Sequence, residues 1–388
     1  MSGKSESKRK LRILMIGPSL DILGGQAVQA VRLLERLREE PALEVDFLPI
    51  NPRLLGVLRK LQQIKYVRTI VTSIAYVWSL LTTVHKYDVL HVFSASYVSF
   101  VLAPTPAILI GRLYRRKVLL NYHSGEAEDH LQRWRRSAVP TIRLAHFVVV
   151  PSNYLVRVFA VFGLEAQAIY NLVDTRHFRF RERVPPQPKF LSNRNFEIHY
   201  GVDRILRAFA IIQKEFPNAT LTVAGDGSQR QSLHALAQQL GLQNTRFIGQ
   251  VEPGSIADVY DRADIYLNGS EIDNQPLSIL EAFSCGLPVV TTAAGGIPDI
   301  VIDRTNGMLV PCGDYSQMAD RSLELLANPE LTRRLVQQGR NECSKYSWEA
   351  VRDAWMNVYC GLGQEQMRLK SETDQTTPTS SESKALSP

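Results

Sequence analysis

The chain has 388 residues, 45% hydrophobic and 21% charged, which suits two ordinary domains with large cores and excludes a disordered or fibrous protein. Its net charge of +7 is uneven: residues 1–180 carry 25 Lys and Arg against 13 Asp and Glu, a net of +12, and residues 181–388 carry a net of −5. The four cysteines show no metal-ligand spacing and read as free thiols of a reducing compartment, with a cytoplasmic location expected.

The N-terminal MSGKSESKRK is basic, and RILMIG (12–17) after it is too short for a signal-peptide core and reads as a first strand. A helical pattern, AVQAVRLLERLREE (27–40), and a strand, VDFLPI (45–50), come next. Two uncharged stretches follow. Thr69–Val84 reads as a buried helix and Val92–Gly111 as a buried strand with a helix behind it; surface attachment to a membrane is the alternative for both. DVLHVF (88–93), KVLLNYH (117–123) and FVVVPS (147–152) are further strands. The segment RFRERVPPQPKF (179–190), charged and with three prolines, reads as an interdomain linker. Beyond it TLTVAGDG (220–227), RQSLHALAQQLGL (230–242), TRFIGQV (245–251) and ADIYLNGS (263–270) repeat the alternation. YSWEAVRDAWMNVYCGL (346–362) is a closing amphipathic helix, and the Ser/Thr/Glu/Pro-rich end is expected to be disordered.

Strand and helix alternate throughout, which predicts an α/β protein with two doubly wound, Rossmann-like parallel-sheet domains facing across a cleft. The divisions are 1–180, 181–345, a closing helix over 346–365 and a tail over 366–388. In such sheets ligands bind beyond the carboxyl ends of the strands. The charge asymmetry predicts an anionic partner for the first domain, such as a membrane surface, a phosphorylated acceptor or an acidic glycan. A solubilising surface is the plain alternative. No nucleic-acid module is present.

The stretch DNQPLSILEAFSCGLPVVTTAAGGIPD (273–299) carries the chemistry. Pro276 fits the start of a helix and Gly286 its end, so the helix start forms an anion site at a sheet edge. Asp273 sits in the loop before it, and Glu281 lies inside it among Ile279, Leu280, Ala282 and Phe283. An acid in that company needs a partner: ligand hydroxyls or a buried arginine. Both readings stay open on spacing alone.

The acidic-x7-Glu pattern, with A-x-x-x-G-x-P-V-V and a GG-x-P-[DE] loop after it, resembles the retaining glycosyltransferases of family 4, which have the GT-B fold. ILGG, DVLHV, NYH, VPSNYL, YNLVDTRHF, GVDRILRAFA, VAGDG and FIGQV match in order, over about residues 12–359. The resemblance implies sugar transfer from a nucleoside-diphosphate donor to the hydroxyl of a glycan, a lipid-linked or a small-molecule acceptor, with no cofactor besides that donor. It implies that Glu281 binds ribose, that Asp273 contacts donor-sugar hydroxyls, that the backbone around Pro276, Leu277 and Ser278 meets the diphosphate, and that Asn274 and Gln275 also bind the donor. Gly24 and Gly25 would form the first-domain glycine loop. His123 would stand near the reacting sugar, Gly225, Asp226 and Val251 near the base, and Glu126 and Glu128 near the acceptor.

The sequence departs from that family where it usually carries an Arg and a Lys on the phosphates. Tyr200 stands at the Lys position, which leaves Arg194, with His199 beside it, as the expected cation and catalytic group. No Asp-x-Asp has a strand-end context, so no metal is expected. GPSLDILGG and GDG are not G-x-G-x-x-G fingerprints, which disfavours a dinucleotide oxidoreductase. A nucleotide-sugar hydrolase or epimerase, or a donor-binding protein without turnover, are the alternatives.

Overall fold

In the computed structural model the described residues are 9–375, without 20, 22–23, 55–56, 63, 65 and 174–176. The first sheet contains β1 (Leu11–Gly17), β2 (Leu43–Pro49), β3 (Val89–Ser94), β4 (Lys117–Tyr122), β5 (Phe147–Val150) and β6 (Gln167–Ala168). Between them run α1 (Gly25–Arg38), α2 (Val57–Leu61), α3 (Val67–Thr83), α4 (Tyr97–Leu102), α5 (Pro104–Leu113), α6 (Ala127–Arg133), α7 (Arg135–Arg143) and α8 (Asn153–Val161). The second sheet contains β7 (Lys189–Asn193), β8 (Thr220–Ala224), β9 (Thr245–Gly249), β10 (Ile265–Asn268), β11 (Val289–Thr292) and β12 (Met308–Val310). Its helices are α9 (Val202–Glu215), α10 (Arg230–Gln239), α11 (Ile256–Asp261), α12 (Leu277–Cys285), α13 (Tyr315–Ala327) and α14 (Pro329–Cys343). The closing helix is α15 (Trp348–Gln375). Of the tail over 366–388 expected to be disordered, residues 366–375 instead continue helix α15, and residues 376–388 lie outside the described residues.

All pairings within both sheets are parallel. The orders are β2-β1-β3-β4-β5-β6 and β12-β11-β10-β7-β8-β9. Each therefore has a point where strand order reverses, between β1 and β3 in one sheet and between β7 and β10 in the other. Strands buried on both faces need continuous apolar runs, and β3 and β4 are buried at every position. Each sheet accordingly has a hydrophobic cluster on both sides.

Two further expectations are corrected. The proline-rich segment 179–190 is not the crossover. Leu172 belongs to the first domain's core and Val173 to the second's. The return passage lies between Tyr346 and Trp348, and the Val173 amide donates to the Tyr346 carbonyl at 2.9 Å, joining the two passages. The segment is instead strapped to the second domain by Arg183. This buried guanidinium donates to the carbonyls of Ala263 at 2.6 Å and Tyr260 at 3.2 Å, and burial lowers its pKa to about 10. Carbonyls satisfy a guanidinium as water would, so charge content misled the linker reading. The second correction is α3, which is an exposed helix. It buries Tyr76 and Leu80 and leaves Ile70, Ile74 and Trp78 in solvent. α15 crosses back onto the first domain, where Trp355, Val358 and Tyr359 pack with Ile13 and Met15.

Candidate active site

The carboxyl ends of both sheets open on one cleft of about 410 Å³. From the first domain come Gly24, Gly25 and Arg32 after β1, and His123 and Glu126 after β4. From the second come Arg194 after β7, Gly225 after β8, Val251 after β9, and Asp273 through Ser278 with Glu281 after β10. The volume falls in the range of small-molecule sites.

Helix α12 forms where expected. Pro276 is its N-cap, and Gly286 takes the left-handed conformation (φ 75°) that ends it. Pro276, Leu277 and Ser278 line the cleft, so the helix start, with amides that lack intrahelical acceptors, opens into it. Gly201 and Gly269 make the close backbone contact at the reversal point of the second sheet. A Cβ on Gly201 (φ 59°) would overlap the Gly269 carbonyl oxygen. Gly225 (φ 139°) similarly lies against the Arg194 carbonyl.

Glu281 has a protein partner. Arg32 Nη2, on α1 of the other domain, donates to its Oε1 at 2.9 Å, and Tyr260 Oη donates to Oε2 at 3.1 Å. Burial, then the neighbouring Glu281 charge, pushes the Tyr260 hydroxyl well above its ordinary pKa, so it stays a donor. Of the two readings of this acid, the buried arginine is the one present. Glu281 still forms part of the cleft wall.

Asp273 is held similarly. Arg194 Nη2 donates to its Oδ2 at 2.6 Å and Nη1 to Ser278 Oγ at 3.3 Å. The guanidinium lies 4.1 Å from the centroid of the Tyr200 ring. Tyr200 thus does not replace the expected lysine's charge but fixes the remaining cation by stacking. His199 also lines the cleft.

His123 stacks on Phe93 with ring centroids 5.2 Å apart, and burial holds its imidazole at about 3, neutral at pH 7. His91 is structural: it is buried between Tyr359 Oη at 2.6 Å and Asn121 Nδ2 at 3.0 Å. Two expected residues stand outside the lining. Asp226 turns to Arg230, with 2.9 Å between Oδ2 and Nη1, and Glu128 is exposed on α6. A step of one residue from the cleft-facing Gly225, or of two from Glu126, is enough to turn a side chain away, which spacing does not reveal.

The domains also touch directly. Ser152 Oγ donates to Asn274 Oδ1, and the Asn171 amide donates to Gln275 Oε1 at 2.6 Å. Arg157 Nη2 meets Asp299 Oδ1 at 3.1 Å. Five residues of the cleft retain buried polar atoms without a hydrogen-bond partner: Arg32 Nη1, His123 Nε2, Arg194 Nε, Asn274 Nδ2 and Gln275 Nε2. Such atoms are costly unless a ligand or water engages them. Among the described residues no group of three or more His, Cys, Asp and Glu is placed to hold a metal. Sequence reasoning missed Arg32, Tyr260 and Asn171. Only Arg32 left a signal, as a charged residue two turns into a helix that begins at the glycine pair.

Residues 174–342 match the family described as glycosyl transferases group 1. Over 167 residues the chain is 33% identical to D-inositol 3-phosphate glycosyltransferase of Saccharomonospora viridis, covering 40% of this chain and 39% of that protein. Over 289 residues it is 27% identical to sulfoquinovosyl transferase SQD2 of Arabidopsis thaliana, covering 69% and 55%. The chain thus spans about half or less of the length of these curated relatives. Among solved structures, Anabaena HepE in complex with UDP-glucose superposes with a TM-score of 0.70 at 18% identity, over 93% of this chain and all of that one. Sucrose-phosphate synthase from Thermosynechococcus elongatus gives 0.72 at 20% identity, over 91% and 99%. The second-domain part of the site and the family match fall on the same segment: the chain has the two-domain GT-B fold, and its second domain is the stretch similar to the glycosyl transferases group 1 family.

Proposed function

We propose that the protein transfers a sugar from a nucleoside-diphosphate donor to an acceptor hydroxyl, with retention of configuration and without a metal ion. The observation that carries the reading is the convergence on one cleft of Glu281, Asp273 and Arg194 with the five unpaired buried atoms. These groups match the parts of such a donor. The diphosphate suits the α12 start and Arg194, whose charge would stabilise its departure. The sugar hydroxyls suit Asp273 and the neutral His123. The ribose suits Glu281, which would exchange or share Arg32 for a hydroxyl pair.

In this reading the leaving diphosphate takes the proton of the attacking hydroxyl on the same face of the sugar, so no separate base is required. The interdomain contacts exclude water during the step. The HepE complex with UDP-glucose makes uridine diphosphate sugars the first donors to try.

The test is a thermal-shift screen against UDP-, GDP- and ADP-sugars, with Glu281→Gln in parallel. One nucleotide class should raise the melting temperature of the native protein. The variant should bind that donor about 10- to 100-fold more weakly, the cost of one charged hydrogen bond. The anomeric configuration of the product, read by NMR, then checks retention. Absence of a shift with every nucleotide at millimolar concentration would sink the donor reading.

A further inference from the structure

Helix α3 has two apolar faces, and only one has a use inside the protein. Tyr76, Leu80 and Val84 pack into the first domain's core with Phe100 and Ala107. The Tyr76 hydroxyl donates to the Ala103 carbonyl at 3.0 Å and the Tyr114 hydroxyl to the Leu81 carbonyl at 3.0 Å, which ties α3 to α4 and α5. The opposite face repeats every four residues: Ile70 is 62% exposed, Ile74 66% and Trp78 68%. The adjoining helices add Val98, Leu109 and Leu113, exposed by 59%, 50% and 73%. Large apolar side chains scattered singly are ordinary, but a grouped set on three packed helices marks an interaction surface.

Charge identifies the occupant. Between residues 47 and 125 there are ten Lys and Arg and one acid, Asp88, which is buried. Exposed Arg68 lies in the first turn of α3, exposed Arg112 and Arg115 at the end of α5, and exposed Arg59 and Lys60 on α2. An apolar face whose own helices carry exposed cations and no acid is the pattern of a helix lying in the interface of an anionic membrane. The segment Val67–Lys86 has the length and hydropathy of a membrane span. Spanning, however, would strip Tyr76, Leu80 and Val84 from the core, so the helix lies flat.

We infer that α3, α4 and α5 form a docking face for an anionic phospholipid bilayer, with Ile70, Ile74 and Trp78 inserted among the lipids and the flanking arginines on the headgroups. A protein on such a surface would meet acceptors presented there. The inference does not depend on the donor reading, because the face lies outside the cleft.

The experiment is co-sedimentation of the full chain with vesicles of phosphatidylcholine alone or mixed with phosphatidylglycerol, at low and high salt. The protein should bind the mixed vesicles, less at high salt, with a blue shift of fluorescence that Trp78→Phe removes. The triple change Ile70→Ser, Ile74→Ser, Trp78→Ser should lower binding about tenfold or more, from lost apolar burial, and leave folding and nucleotide binding unaltered. Arg68→Gln with Arg112→Gln and Arg115→Gln should weaken binding and flatten its salt dependence. No binding to mixed vesicles at low salt overturns the inference. So does equal binding by the serine variant. If that variant instead abolishes a dimer seen by ultracentrifugation of the native chain, a second copy covers the face and the lipid assignment fails.

Discussion

The two domains share a scaffold and face each other, yet they present opposite materials to the cleft. The second domain offers ionised side chains on locked backbone: Glu281 and Asp273 each gripped by an arginine, and glycines wedged against carbonyls. The first offers glycines, a neutral histidine, Glu126 and one long arginine. Gly24 and Gly25 have nothing within 4 Å of where a Cβ would stand. One half is built to hold a fixed shape, and the other leaves room. The family match, which covers 174–342, follows the rigid half. This is what a protein needs if one ligand is invariant and the other varies among relatives.

Glycine substitutions should break that symmetry most sharply. Gly201→Ala forces a Cβ into the Gly269 carbonyl at a left-handed position, and should cost about 3 kcal/mol or more in chemical denaturation. Gly24→Ala and Gly25→Ala should leave the melting temperature unchanged. If a donor phosphate approaches the pair, Gly25→Ala still lowers sugar transfer about tenfold or more through misplacement. Equal stability losses in both domains would refute the contrast.

Arg194→Ala comes next. It removes the second domain's cation from the cleft and leaves the half-buried Asp273 without its partner. Transfer should fall about 10²- to 10³-fold in kcat/KM, the scale of losing one transition-state donor. Arg194→Lys should recover little, because stacking on Tyr200 and the two-pronged grip on Asp273 and Ser278 need a planar fork.

Acid should also distinguish the halves. Burial places His91 at about 3, far below the ordinary imidazole, and it sits in the first domain's core. The unfolded chain then takes up the proton first as pH falls. Stability is therefore full above about pH 6.5 and declines below it, by about 2 kcal/mol at pH 5 from this residue alone. His130 and His146, held near 4 mainly by burial, belong to the same domain and act in the same direction. Denaturation curves at pH 7 and pH 5 check this. A protein as stable at pH 5 as at pH 7 would contradict it.

Much of this was legible in the residues, for identifiable reasons. β1, β3 and β4 are buried on both faces, so their apolar runs were continuous. Helix α12 was bounded by Pro276 and Gly286, whose backbone preferences act locally. β7 hid behind the prolines before it, and β12, at three residues, was too short to show a period. Exposure of α3 was invisible because a helix apolar all round gives no sign of which face the core takes. The Arg32–Glu281 pair joins positions 249 apart, and no local pattern encodes such a contact.

That pair sets the smallest and most discriminating effect. Among the described residues Arg32 is the first domain's one ionic hold on the second domain's Glu281, and in the donor reading it competes with ribose for Glu281 Oε1. Arg32→Gln keeps a donor but removes the charge. The nucleotide-free protein should lose about 1 to 3 kcal/mol, because a buried carboxylate has lost its cation. If ribose hydroxyls replace the guanidinium, donor binding should tighten about threefold in calorimetry, since less is displaced. If affinity instead falls with stability, Arg32 grips the donor itself, through the Nη1 that has no protein partner. The first domain would then supply a charge to the donor, and the contrast between a holding half and an accommodating half would narrow to the glycines alone.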